Sequence, residues 1–131
     1  MNGRYLLDTN IVIALFAQES AVLNQLAEAD AVFLPSIVIG ELYFGARNSS
    51  RVAQNVERVE DFRNANSVLT VDSQTAFQYG RVKHELKLAG TPLPENDIWI
   101  AALALQHQLV LATRDSHFEH INSLFTVSWQ D

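Results

Sequence analysis

The chain has 131 residues, no cysteine, 48% hydrophobic and 18% charged residues, and a formal net charge of −6. This length suits one domain over residues 1–131, and the composition is that of a folded chain rather than a disordered one. Without cysteine there are no disulfides or thiolate metal sites, as expected for a reducing cytoplasm, and the acidic balance argues against a simple basic phosphate clamp.

Arg4 and the apolar residues after it could imitate a secretory leader, but Asp8 interrupts them and the apolar run 11–17 is short. No stretch approaches the roughly 18 consecutive apolar residues of a membrane span. A cytoplasmic protein with no membrane partner is the expectation.

Short apolar segments alternate with helical patterns, which is how an α/β fold with a parallel sheet and flanking helices reads in sequence. In chain order the pattern predicts a strand at 4–7, helices at 10–17 and 21–29, a strand at 32–34, and helices at 37–47 and 52–64. A strand at 68–71, helices at 74–88 and 95–106, and strands at 109–112 and 125–128 complete the set. Val52, Val56, Val59 and Phe62 share one helical face, with Arg58, Glu60, Asp61 and Arg63 mostly opposite, so that helix belongs on the surface. Residues 98–105 are apolar on every side, which predicts an enclosed helix.

Ligands of parallel sheets bind beyond the carboxyl ends of the strands, where strand order reverses. Asp8 follows the first strand directly and Asp115 comes shortly after the fourth. Glu41 lies about one turn into the helix after the second strand, and Asp97 in the first turn of the helix entering the fourth. Each acid has an ordinary explanation when taken singly. Asp8 could cap a helix, Asp97 could complement a helix dipole, Asp115 could form a turn, and Glu41 could face solvent. Four ionised acids beside buried segments nevertheless need protons or a cation, and a hard divalent ion is the natural occupant.

Other residues give weaker signals. Gly40 and Gly45 each cost a helix about 1 kcal/mol against alanine, so a close approach should accompany them. They do not form a phosphate loop, because Ala46 and Arg47 follow where Lys and Ser or Thr are required. His84, His107, His117 and His120 lack zinc spacing and read as surface or packing residues. Tyr43, Phe44, Trp99 and Trp129 read as core aromatics. Arg47, Arg51 and Arg114 could meet phosphates or be simply solvated.

In order, the segments LLDTN (6–10), GELYFGA (40–46), LPENDIWIAA (93–102) and LATRDSHF (111–118) resemble the PIN-domain family, and more narrowly toxins of VapC type from bacterial toxin–antitoxin pairs. The resemblance spans essentially the whole chain. It implies a single PIN-like α/β domain with a five-stranded parallel sheet, in which Asp8, Glu41, Asp97 and Asp115 form an acidic catalytic and metal site supported by Thr113. It further implies an RNA-cleaving enzyme dependent on Mg2+, with Mn2+ as a substitute, that forms a homodimer and is restrained by a cognate antitoxin. Some relatives carry another acid soon after the fourth of these positions, where this chain has Ser116 and His117. One firm metal site is therefore expected, with a second left open.

Two other readings were weighed. A receiver-type phosphoacceptor domain would place its modified residue at Asp72, but the first strand ends in one acid rather than a pair, and the final segment LFTVSWQD (124–131) has no lysine. A PIN fold that only binds, without cleaving, is the other; the full set of four acids weighs against it.

Overall fold

In a computed structural model, which describes residues 3–130, five parallel strands form one sheet in the order β3-β2-β1-β4-β5. The strands are β1 (Arg4–Leu7), β2 (Ala31–Pro35), β3 (Ser67–Leu69), β4 (Val110–Ala112) and β5 (Thr126–Val127). The helices are α1 (Thr9–Phe16), α2 (Ser20–Glu28), α3 (Ser36–Arg47), α4 (Val52–Asn64), α5 (Ser73–Ala89) and α6 (Glu95–His107). A 3-10 helix, Ser116–His120, follows β4.

β1 is the middle strand because Leu6 and Leu7 are both fully enclosed, which happens only where both faces of a sheet are covered. Leu6 registers against Phe33 of β2 and Leu111 of β4. The chain adds β2 and β3 on one side of β1, then crosses over to add β4 and β5 on the other. Strand order thus reverses between β1 and β4, and the crevice beyond their carboxyl ends is the site the topology supplies.

Helix boundaries follow their caps. Asp72 accepts hydrogen bonds from the Gln74 and Thr75 amides, and the Thr75 hydroxyl accepts one from the Asp72 amide, a reciprocal box that starts α5. Gly90 ends α5 in the left-handed conformation, at φ 70°, where a side chain would strain the turn. On α6, Ile98, Ile100, Ala101, Ala102, Leu103 and Ala104 are buried, as an enclosed helix requires. On α4 only Val59 is fully buried, as a surface helix requires.

Several sequence expectations need correction. The 3-10 helix was not foreseen, and β3 and β5 are shorter than predicted. Phe44 is not a core residue: it is 73% exposed on α3. Tyr43 is half-buried and donates its hydroxyl to Glu60 at 2.8 Å, while Trp99 is half-buried and stacked on Tyr79 with ring centroids 3.9 Å apart. Trp129 alone of the four is buried, edge-on to Tyr5. No close approach accompanies Gly40 or Gly45, since a Cβ at either would meet nothing within 4 Å.

Gly80 is likewise exposed and unobstructed within α5. Replacing it with alanine removes the backbone entropy penalty without a clash, so Gly80→Ala is expected to raise stability by about 1 kcal/mol. Urea denaturation checks this; a midpoint that stays or falls contradicts it.

Candidate active site

Asp8 stands where β1 becomes α1, and its surroundings fix it in place. It is only 6% exposed. One carboxylate oxygen accepts the Thr9 amide at 2.8 Å and so caps α1. The other accepts the Thr113 hydroxyl at 2.7 Å. The Asp8 amide itself donates to the Ala112 carbonyl at 3.0 Å, extending the β1–β4 ladder one step past the strands. Burial raises the Asp8 carboxyl above the usual carboxylate range; the Thr113 and Thr9 hydrogen bonds oppose this and the charge of Asp115 adds to it.

Thr113 joins two of the acids. Its hydroxyl donates to Asp8 and accepts the Asp115 amide at 3.1 Å. Asp115 in turn caps the 3-10 helix, accepting the His117 amide at 2.9 Å, and the His117 imidazole lies 3.2 Å from the same oxygen. Among the described residues, no donor reaches its second oxygen.

The remaining acids come from helices. Glu41, half-buried on α3, accepts the Thr9 hydroxyl at 3.0 Å. Asp97, in the first turn of α6, is half-buried and meets no hydrogen-bond donor among the described residues. Its carboxyl is raised to about 6, first by burial and then by the charges of Asp8, Asp115 and Glu41, with His117 in slight opposition. All four acids thus act on one another electrostatically at the crevice where strand order reverses.

No lysine or arginine compensates them. Among the described residues, Arg114 pairs with Glu19 at 3.0 Å and also donates to the Trp129 carbonyl, so it braces the C-terminal segment rather than the acids. His117 is the one basic side chain among the described residues within ion-pair distance of any of the four, through Nδ1. An uncompensated set of hard oxygen donors fits a divalent cation. Among the described residues, no three Asp, Glu or His side chains stand close enough together to hold a metal ion as they are placed. Magnesium is suited to such an open arrangement, because it retains several waters and takes phosphate oxygens as further ligands.

Two partners of these acids were not singled out from sequence. Thr9 ties Glu41 to the start of α1, and Asn10 contacts both Asp8, at 3.4 Å, and the Arg114 amide, at 3.1 Å. Both fall inside the LLDTN segment, so their proximity to Asp8 was the available signal. Asp72 is remote in role from the site. It accepts bonds from Gln74, Thr75 and Gln106 and serves as a helix cap, which removes the basis for a receiver reading.

Two recesses adjoin Glu41. An apolar groove of about 460 Å³ runs between α1, α3 and α4, lined by Ile13, Phe16, Leu42, Ala46 and Val59, with Thr9 and Glu41 at its edge. A wider cleft, bordered by Ile37, Gly40, Phe44 and Asn96, shares Thr9 and Glu41 with it.

The chain is similar to known proteins over nearly its full length. It is 34% identical over 129 residues to the protein named Ribonuclease VapC2 from Haemophilus influenzae, covering 96% of this chain and 98% of that one. It is 28% identical to the tRNA(fMet)-specific endonuclease VapC of Shigella flexneri, with the same coverage. Among solved structures, VapBC2 from Rickettsia felis, bound to a DNA fragment from its promoter, superposes with a TM-score of 0.89 at 27% identity, covering 97% of this chain and 99% of that one. VapBC-1 from nontypeable Haemophilus influenzae also gives 0.89, at 29% identity over 98% of this chain and 99% of that chain. With the PIN domain model matching residues 5–124 on top of this five-stranded parallel architecture, the chain belongs to the PIN domain family.

Proposed function

We propose that this protein is a divalent-metal-dependent endoribonuclease, the toxin of a toxin–antitoxin pair, using Mg2+ with Mn2+ as a substitute. The carrying observation is the electrostatic state of Asp97: its carboxyl is raised to about 6 by burial and three neighbouring carboxylates, with only His117 in opposition among the described residues. The names of the curated relatives, ribonuclease and endonuclease, support the same reading.

In this reading Asp8, Glu41, Asp97 and Asp115 hold the metal, and Thr113 keeps Asp8 and Asp115 in register. A bound divalent ion supplies positive charge for the scissile phosphate and lowers the pKa of a water. Water attacks phosphorus in line and the bond to the 3′ oxygen breaks, leaving 5′-phosphate and 3′-hydroxyl ends. The work of this chain is to hold four oxygen donors around one opening and to keep Asp8 from turning away. One metal site is firm by this count; Ser116 and His117 add no further carboxylate beside Asp115.

The whole chain acts as one domain in the cytoplasm, as a homodimer, and a cognate antitoxin silences it. The exposed side chains of Phe44 and Phe77 supply apolar surface that a second copy would cover. The groove between α1, α3 and α4 suits an apolar antitoxin segment, which would then lie against Glu41.

Asp8→Asn and Asp97→Asn are each expected to reduce magnesium-dependent RNA cleavage by more than the roughly 100-fold that loss of a supporting residue costs. Gel analysis of RNA products with and without Mg2+ checks this, and undiminished cleavage by either folded variant refutes the site.

Asp97 also links stability to pH. Its value is 3.8 in an unstructured chain and about 6 in the fold, so the folded state holds the proton more tightly. The stability this confers is complete below about pH 4 and is lost as pH rises through about 6. Without metal, Asp97→Asn is therefore expected to melt above the wild type at pH 7.5 and level with it near pH 4. Added Mg2+ should raise the wild-type melting temperature and leave the variant where it was. A variant that melts lower at pH 7.5 contradicts the electrostatic account.

For the partners, light scattering should give the free protein twice the mass of one chain and a larger complex with its antitoxin. Ile13→Glu, at a position 57% exposed in the groove, should lose the larger complex, keep the doubled mass and still cleave RNA. Antitoxin binding that survives this change places the antitoxin elsewhere.

A further inference from the structure

Asp115 is carried by a loop, Thr113 to Asp115, that leaves β4 at the edge of the crevice. Three successive amides of this loop each have a different acceptor. Thr113 donates to the Val127 carbonyl of β5 at 2.9 Å, Arg114 to the Asn10 side-chain oxygen at 3.1 Å, and Asp115 to the Thr113 hydroxyl at 3.1 Å. The first bond continues the sheet and the third is internal to the loop. Of these three amide bonds only the second reaches α1, the helix that Asp8 caps; beside it, the Thr113 hydroxyl holds the start of the loop to Asp8 itself.

The orientation of the Asn10 amide is set from both ends. Its oxygen must face the Arg114 N–H, since an NH2 there would oppose another donor. Its nitrogen then points at Asp8, 3.4 Å from the carboxylate oxygen that also accepts Thr113. The reverse orientation would set oxygen against carboxylate and N–H against N–H. The Arg114 contact is the firmer arm, as the Asp8 contact is long for a hydrogen bond. The plain alternative is a polar residue in the first turn of α1 that merely satisfies its own hydrogen bonds. Such a residue would not need a partner 104 positions away in sequence.

We infer that Asn10 is a positioning residue: by holding the Arg114 amide it fixes the Asp115 loop against Asp8, and so sets the spacing of two of the acids to which the proposed function assigns the metal. The inference rests on that assignment, but its first measurement does not. In metal-free protein, hydrogen exchange of the Arg114 amide, followed by NMR, should accelerate at least tenfold in Asn10→Ala. The Thr113 amide, held by the Val127 carbonyl instead, should stay within about twofold of the wild type in the same variant.

Binding of Mn2+ alone, without RNA, is then measured by electron paramagnetic resonance. Asn10→Ala should bind about tenfold more weakly, in line with the loss of a group that orients a metal ligand, while its metal-free melting temperature stays close to wild type. Unchanged Arg114 exchange in Asn10→Ala, or an equal acceleration of the Thr113 amide, overturns the inference. Faster exchange with undiminished Mn2+ affinity overturns it as well, by reducing Asn10 to a local tie. Should the wild type not bind Mn2+ at all, the metal assignment falls, and Arg114 exchange alone decides whether Asn10 holds the loop.

Discussion

The mutual repulsion of Asp8, Glu41, Asp97 and Asp115 is the constraint the rest of the molecule is arranged to withstand. Asp8 and Asp97 take protons more readily than usual, first through burial and then through neighbouring carboxylates, and such charges would separate if their backbones allowed it. They do not separate because two of them grow from adjacent strands. β1 and β4 are paired through three registered positions, and the Asp8 amide adds a bond to the Ala112 carbonyl beyond them. The sheet therefore sets the distance between the roots of Asp8 and Asp115, and side chains only trim it. Glu41 and Asp97 arrive on α3 and α6, helices whose buried residues Leu42, Ile98 and Ile100 anchor them to the same core.

The ordinary role of each acid and its place in the site turn out to be the same fact. Asp8 caps α1 with one oxygen, and that bond is what aims the other at Thr113. Asp115 caps the 3-10 helix with one oxygen, and no donor among the described residues reaches the second. Asp97 lies in the first turn of α6, where the helix dipole favours a negative charge and partly offsets its neighbours. A capping carboxylate cannot rotate without giving up its amide. For Asp8 and Asp115, capping supplies the rigidity that the proposed metal site calls for, so the two readings do not compete.

This explains why so much of the site was legible from sequence and where legibility ended. Alternating apolar segments report burial, so the five strands, the enclosed α6 and the surface face of α4 could be read directly. Strand ends then placed Asp8 and Asp115, the adjacent helix starts placed Glu41 and Asp97, and the family resemblance added Thr113. What escaped was set by contacts with no local signature. The Arg114 amide finds Asn10 across 104 positions, and no period in either segment predicts it. The 3-10 helix depends on where the Asp115 carboxylate points, which is a tertiary matter. Phe44 was misread because an aromatic in an apolar helix normally faces the core, whereas α3 turns Val38, Ile39 and Leu42 inward and leaves Phe44 outside.

The exposed side of α3 also gives a physical setting for the glycines that no packing inside the chain explains. A Cβ at Gly40 or Gly45 would project into open space, yet each residue costs the helix stability. Gly40 borders the cleft beside Phe44 and Asn96, and Gly45 borders the apolar groove that runs to α4. Glu41, between them in sequence, borders both recesses, and its carboxylate is held by Thr9 from α1. A segment seated in the groove would therefore abut the same hydrogen-bonded pair that faces the cleft. In the proposed function this is how occupation of an apolar surface reaches the acids: the Thr9–Glu41 bond is common to both, so a partner need not enter the crevice to disturb it.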